Sequence, residues 1–261
     1  MRVTLVTVAV VGLLTTLTGC SSEAIDAAGA AGTGATGGSA TGGNGAGATA
    51  GTDSVDPTPS ACSAALKQSL SLVDEVSTAK VSIVSEDADD RTLFVDASVG
   101  GLNGQDTHPW VYIALATGQA VAVTDLQALG SKAWDLAFKR SVVRTNGGDS
   151  GPGLGGAIRI ALPWDKVTSA TLGNKALPIE SWFDDDCMLT LDSAQNLVTT
   201  FSGWSQYDET NHVLSAADVV FITAGADGTL YKVGILDYYG TPAGAHGTVA
   251  GRYLVRVAPL P

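Results

Sequence analysis

The serine at position 150 has neighbours that come near to a catalytic pattern. It lies in the run 148–152, GDSGP, and a serine in such a setting acts as a nucleophile only with a histidine base and an acid beside it. The chain has three histidines, and none lies upstream in an Ala-Ala-His-Cys setting. A serine hydrolase is therefore a remote alternative, and we predict that the protein is not an enzyme.

Two acidic runs, 86–90 and 184–186, could supply oxygen ligands to Ca²⁺. Consecutive strand residues point to opposite faces, and the EF-hand spacing is absent, so solvated acidic turns are favoured. The glycines between 147 and 156 also miss both spacings of phosphate-binding loops, and no helix pattern follows them. The sequence therefore predicts neither a calcium site nor a nucleotide site.

The stretch 134–156 joins a strand pattern to a glycine-rich loop. Trp134, Leu136 and Phe138 alternate with other side chains, which predicts a half-buried strand. Six glycines follow between 147 and 156, where backbone freedom is needed. The glycine-rich loop indicates either that the backbone must adopt a particular shape there or that a sharp turn joins two strands.

Lys139, Arg140 and Arg144 flank this loop. Aromatic side chains on the predicted strands pack in the core by default. If some of them line a crevice, the crevice suits a flat apolar ligand whose carboxylates pair with Lys139, Arg140 or Arg144.

The first 20 residues predict a lipoprotein signal peptide. Arg2 precedes an apolar run that is too short to span a bilayer, and residues 17–20, LTGC, form a lipobox ending at Cys20. Acyl chains on Cys20 would anchor the protein to a membrane. The alternative is an ordinary secretory signal with a chance cysteine. Because Ser21 follows, we expect the outer membrane, on either its periplasmic or its extracellular face.

Residues 21–61 predict a disordered linker of Gly, Ala, Ser and Thr without hydrophobic periodicity. Its root-mean-square reach is roughly 35 Å, which suits a tether between a membrane and a domain. The formal net charge of −12 argues against a nucleic-acid partner.

Residues 62–261 predict one all-β domain of antiparallel strands. A short helix is expected at 63–76, followed by strands at 80–85, 91–97, 110–115, 119–124, 134–138, 157–162, 219–223, 229–237 and 252–257. The turn at 225–228, GADG, indicates a hairpin. Tyr253, Val255 and Val257 are expected on one face.

Cys62 and Cys187 are the two cysteines that remain if Cys20 is lipidated. Export to an oxidising compartment favours a disulfide between them. Two buried thiols are the alternative.

Several motifs together resemble the HmuY-like family of bacterial surface lipoproteins. The specific part is WDLAFKR at 134–140, TNGG at 145–148 and GGA at 155–157, in which Trp134, Asp135, Asn146, Gly147 and Gly148 are the motif residues. Further matches are WVY at 110–112, GW at 203–204 and YKV with LDYY between 231 and 239. The likeness covers roughly 110–257.

The resemblance implies an all-β fold, a lipid anchor and haem binding, with delivery to an outer-membrane (TonB-dependent) haem receptor. Haem-binding members coordinate the iron with two His or Met side chains. Here the first ligand region, 176–200, offers Met188, and Glu209 lies near the second ligand position with His212 shortly after it. His212 and Met188 are therefore the candidate ligands. His246 and His108 are weaker candidates.

The leading prediction is a non-catalytic lipoprotein that binds haem or a related tetrapyrrole and passes it to a receptor. The alternative is a lipoprotein of the same fold that binds another ligand or a protein partner.

Overall fold

The computed structural model describes Cys62, residues 70–192 and residues 197–261. The predicted signal peptide, Cys20 and the predicted linker 21–61 lie outside the described residues. Within the described ranges, no helix has the length and apolar character that crossing a bilayer requires.

Twelve strands make up three antiparallel sheets in the described part of the chain. The first sheet has the order β1-β2-β12-β11-β10-β7, and its strands are β1 Val81–Asp87, β2 Asp90–Asp96, β7 Gly156–Ile160, β10 Val220–Ala224, β11 Leu230–Asp237 and β12 Arg252–Pro259. The second sheet has the order β4-β3-β5-β6, with β3 Val111–Ala114, β4 Gln119–Ala120, β5 Leu136–Lys139 and β6 Val142–Thr145. The third is a hairpin of β8 Ser205–Asp208 and β9 Val213–Ala216.

Helical structure is confined to single turns in the described residues. Two are α-helical, Asp125–Ala128 and Ser169–Leu172, and three are 3-10 turns, Leu102–Gly104, Gly148–Ser150 and Trp164–Lys166. The prediction of an all-β fold is confirmed.

One apolar core joins the two larger sheets. Tyr253, Val255 and Val257 of β12 share it, which confirms that they lie on one face, and Leu136 and Phe138 of β5 meet them from the second sheet. Alternate residues of each strand reach the core because successive side chains point to opposite faces.

A second core covers the other face of the second sheet. It contains Trp110, Tyr112, Trp134, Ala137 and Trp182, so β5 is buried on both faces. The prediction of a half-buried strand over 134–138 is wrong for this reason. Trp134 precedes β5 and packs with Ala137, on the side opposite to Leu136.

The predicted helix at 63–76 is wrong over its described part, 70–76, which contains a turn and extended backbone. Tertiary partners take its polar backbone groups: the Leu70 carbonyl accepts from Trp110 Nε1 at 3.1 Å and the Val73 amide donates to Asp125 at 2.8 Å. These long-range bonds replace the local bonds that a helix would make. The predicted strand at 119–124 is shorter than expected, since β4 ends at Ala120 and Thr124 caps a helical turn.

Cys62 and Cys187 form a disulfide, which confirms the predicted pairing. The bond closes a loop of 125 residues and ties the start of the domain to the turn at 183–189.

Candidate functional site

The glycine-rich loop after β6 is an internal packing element. Asn146 is fully buried; its side-chain amide donates to the Trp134 carbonyl at 2.7 Å and its Oδ1 accepts from the Gly153 amide at 3.1 Å. Gly148 has φ +59°, and a Cβ there would lie 2.0 Å from the Glu180 carbonyl oxygen. The loop shape is therefore imposed by backbone contacts inside the domain.

Asp135 links the second sheet to the β10–β11 turn. Its two carboxylate oxygens accept from the Leu115 amide and the Ala226 amide, each at 2.7 Å. Burial raises the pKa of the Asp135 carboxyl, and the two amide donors partly offset this. The motif residue has a scaffold role.

Glu180 is a buried carboxylate that holds three segments together. It accepts from the backbone and side chain of Thr145, from the backbone and side chain of Thr200, and from Trp182 Nε1, at distances between 2.8 and 3.2 Å. Burial raises the pKa of the Glu180 carboxyl, and these hydrogen bonds offset part of the increase. No sequence motif marked Glu180, because its donors come from distant parts of the chain.

Arg144 is fully buried in this structure. Its guanidinium carbon lies 4.6 Å from the Trp110 ring centre and 4.9 Å from that of Trp134, as expected of cation–π contacts. Its Nη1 donates to the Ser150 carbonyl and hydroxyl, and its Nη2 donates to the Tyr112 hydroxyl. These contacts enclose the guanidinium within the domain.

The same contacts remove the hydrolase alternative. The Ser150 side chain is fully buried and its hydroxyl accepts from Arg144 at 2.7 Å. Asp149 accepts from the Trp182 amide at 2.6 Å. Ser150 therefore has neither a histidine base beside it in the described residues nor access to a substrate.

Lys139 is only 3% exposed. Its ammonium donates to the Ser71 carbonyl at 2.9 Å and lies 5.9 Å from the Trp110 ring centre. Burial lowers the pKa of Lys139 to about 8. It lines a cavity of about 100 Å³, which is too small for a tetrapyrrole. Arg140, in contrast, lines an open basin of about 520 Å³.

His212 lies in the exposed turn between β8 and β9. Its Nδ1 forms a 2.8 Å hydrogen bond with the Tyr207 hydroxyl, so the bond leaves Nε2 for another partner. Tyr207 is 57% exposed and Val213 is 41% exposed. The hairpin therefore presents an imidazole beside apolar surface.

His246 has a similar arrangement beside the same hairpin. Its Nδ1 is 2.8 Å from Asp237 Oδ2, and its ring centre is 5.7 Å from that of Tyr239. The Tyr239 hydroxyl accepts from the Leu214 amide of β9 at 3.3 Å. A carboxylate on one ring nitrogen is the usual support of a metal-binding histidine. Sequence reasoning gave His246 little weight, because Asp237 is paired with it only by the fold.

Met188 lies at an exposed turn and is 65% exposed. The Asp184 carboxylate accepts from the amides of Asp186 and Met188 at 3.0 and 2.8 Å, which confirms an acidic turn at 184–186. In the described residues, the contacts of His212 and those of Met188 involve different side chains. The structure therefore does not join them into one preformed pair.

His108 packs within its own turn. Its Nδ1 is 3.0 Å from the Gly104 carbonyl, and the ring borders a groove of about 420 Å³. None of the residues that line this groove belongs to the β8–β9 hairpin, so His108 lies outside the surface that presents His212.

The fold and these sites define an all-β protein of antiparallel sheets that presents histidines on a projecting hairpin and the adjoining loop. The family described as HmuY protein matches residues 106–253, more than half of the chain. The chain belongs to the HmuY family.

Three solved structures of bacterial proteins are among those to which the chain is similar. An HmuY-like haem-binding protein from Bacteroides vulgatus has 17% identity and a TM-score of 0.45, with 70% of this chain and 100% of that chain covered. A lipoprotein from Bacteroides fragilis has 21% identity and a TM-score of 0.39, with 67% and 91% covered. The apo HmuY analogue of Tannerella forsythia has 16% identity and a TM-score of 0.38, with 70% and 97% covered. No curated protein matches the chain.

Proposed function

We propose that this HmuY-family protein binds haem, or a related tetrapyrrole, without catalysing a reaction. Membership of the family supports the ligand class. The observation that carries the proposal is the exposed imidazole of His212, whose Nδ1 is bonded to Tyr207 at 2.8 Å. When Nδ1–H donates to the Tyr207 hydroxyl, Nε2 keeps the lone pair that can bind iron.

The surroundings of His212 also suit a flat apolar ligand. The Tyr207 side chain is 57% exposed, and its ring centre lies 6.2 Å from that of His212. A porphyrin face that covers the Tyr207 ring would remove apolar surface from water, which stabilises the complex by about 25 cal/mol per Å².

Met188 is the proposed second axial ligand, because its thioether is exposed at a turn that the disulfide fixes. His246 is the competing candidate, since Asp237 supports its Nδ1 at 2.8 Å. The two alternatives differ in iron chemistry: a His–Met pair places sulfur on the iron, and a bis-His pair places nitrogen on both sides.

Attachment through lipid on Cys20 and transfer of haem to an outer-membrane receptor complete the proposal. The lipobox and the linker support a tethered domain, and the family resemblance supports a receptor. Incorporation of labelled palmitate by the native chain, and its loss in Cys20→Ser, would test the anchor.

A haemin titration of the chain without residues 1–20 tests the haem proposal. We expect a saturable Soret shift at one haem per chain. His212→Ala should weaken binding at least tenfold and change the spectrum of the oxidised and reduced forms. Met188→Leu, which keeps the side-chain volume, should alter the spectrum if the Met188 sulfur is the second axial ligand. His246→Gln should alter it if the His246 imidazole is the second axial ligand.

His108→Ala is the matched control, because this histidine is held within its own turn. A broad change that does not saturate would refute the proposal. So would a titration in which His212→Ala and His108→Ala both behave as the unchanged chain. The first result would favour the alternative that the fold serves another ligand, and the second would show that His212 is not an iron ligand.

A further inference from the structure

An open basin is lined by parts of the segments 98–101 and 248–252 and by Arg140, the residue that follows β5. Its volume is about 520 Å³. The lining includes Ser98, Gly100, Arg140, Thr248, Ala250 and Arg252. None of its lining residues belongs to the β8–β9 hairpin or is a candidate iron ligand.

Arg140 is fixed at the wall of the basin. Its amide donates to the Ala97 carbonyl at 2.9 Å, and its own carbonyl accepts from the Tyr253 hydroxyl at 2.6 Å. Its Nη1 donates to the carbonyls of Ala250 and Ser98 at 3.0 and 3.4 Å. The backbone and one side of the guanidinium are therefore both held in place.

The Arg140 side chain has no carboxylate partner within the described ranges, although the residue is only 9% exposed. Carbonyl oxygens occupy Nη1 alone, and Nε and Nη2 make no hydrogen bond to described residues. These two nitrogens form one edge of the guanidinium fork, which matches the two oxygens of a carboxylate.

Arg252 supplies a second guanidinium to the same basin. Its Nε donates to Asp96 Oδ2 at 3.0 Å, and its Nη atoms make no hydrogen bond to a carboxylate of the described residues. Two arginines and one aspartate leave a local excess of one positive charge in a chain of net charge −12. The basin therefore favours an anion where the rest of the protein is acidic.

The backbone of the basin is held in an unusual conformation. Val99 has φ +44° and Arg140 has φ +50°, values that are rare for residues with a side chain. A Cβ on Gly104 would lie 1.8 Å from the Val99 carbonyl oxygen, so the loop is packed tightly from behind. Such conformations persist where surrounding contacts impose them, and they often accompany ligand sites.

We propose that this basin binds the carboxylate of a small organic acid. The Nε–Nη2 edge of Arg140 would pair with both carboxylate oxygens, and Arg252 would contact a second acidic group or the same one. The Thr248 hydroxyl lies at the rim of the basin and can donate to the ligand.

The test is calorimetric titration of succinate into the chain without residues 1–20, at constant ionic strength and without haem. We expect saturable binding at one succinate per chain. Arg140→Lys keeps the charge and removes the fork, so it should weaken binding at least tenfold. Arg159→Lys, on an exposed arginine of β7 outside the basin, should leave binding unchanged.

Inorganic phosphate is titrated in parallel. Phosphate binding as tight as succinate binding would overturn the carboxylate assignment, because the arginine fork can pair with either group and the basin would then accept any oxyanion. Absence of saturable succinate binding, or an equal loss in Arg159→Lys, would also overturn it. Since haem is absent from these titrations, their outcome is separate from that of the haemin titration.

A measurement on the unchanged protein covers the case in which Arg140→Lys does not fold. Phenylglyoxal modifies accessible arginines, and peptide mapping locates the modified residues. Succinate should slow modification of Arg140 and Arg252 and leave Arg159 unaffected. Equal modification of all three with and without succinate would contradict the proposal.

Discussion

Replacing Asp135 by Asn should destabilise the protein, although the side chain keeps its size. The carboxylate accepts one backbone amide from each of two segments, Leu115 and Ala226, at 2.7 Å. An Asn amide offers one acceptor oxygen and directs an N–H group at the other backbone donor. One charge-assisted hydrogen bond is lost, and one backbone N–H faces a donor.

The magnitude follows from these two contacts. A hydrogen bond to a charged group contributes about 1.5–3 kcal/mol, and an unsatisfied buried amide costs about 1–3 kcal/mol. Asp135 is only partly buried, so water can reach the site, and Asn also removes the cost of burying a charge. We therefore expect a loss of about 2–3 kcal/mol, or roughly 5–10 °C in Tm for a domain of this size.

Urea unfolding followed by tryptophan fluorescence measures the change. Asp227→Asn is the matched control, because Asp227 lies in the adjoining turn, is exposed and contacts Thr229 at 2.9 Å. It should cost less than about 1 kcal/mol. If Asp135→Asn lies within about 0.5 kcal/mol of the unchanged protein, the scaffold role assigned to Asp135 is wrong.

Two further predictions concern the disulfide and a pair of charges. Reduction of the Cys62–Cys187 disulfide should lower the free energy of unfolding by about 2–5 kcal/mol, because the bond closes a 125-residue loop. Urea unfolding with and without reductant measures the difference, and equal midpoints would contradict the prediction. Arg256 lowers the pKa of Asp90 through a 2.6 Å hydrogen bond. The ion pair should therefore stabilise the fold fully above pH 3.8, the ordinary pKa of Asp. This stabilisation should be lost as the pH falls through the lower pKa that Asp90 has in the folded state. Arg256→Gln should therefore cost up to about 1 kcal/mol more at pH 7 than in strong acid, given the exposure of both side chains. The contact of the guanidinium with the Trp164 ring, at 4.4 Å, is lost equally at both pH values. An equal cost at the two pH values would argue against the ion pair.

The family motif illustrates what a sequence pattern can and cannot convey. The residues around Trp134 and Asn146 identified the family and predicted an all-β domain, because strand alternation and turn glycines are local properties of the chain. Their roles were not local. Asn146 and Gly148 meet Gly153 and Glu180, and only the folded chain brings these groups together.

The basic residues show the same limit in a single segment. Lys139, Arg140 and Arg144 are close in sequence and were predicted as candidate contacts of a ligand. The structure encloses Arg144 among aromatic rings, places Lys139 beside a small cavity and leaves one edge of Arg140 facing an open basin. Alternation along β5 and β6 sends neighbours to opposite faces, and both faces of the second sheet are covered.

By itself, the sequence determined the strand pattern, the family, the pairing of Cys62 with Cys187 as the favoured hypothesis, and the set of side chains able to bind iron. These depend on residue types and on spacing along the chain. The tertiary structure alone decided which of those side chains are exposed and which have partners. Burial and hydrogen bonding depend on segments far apart in sequence, as with Asp237 and His246 on either side of a loop, or Arg140 beside Arg252.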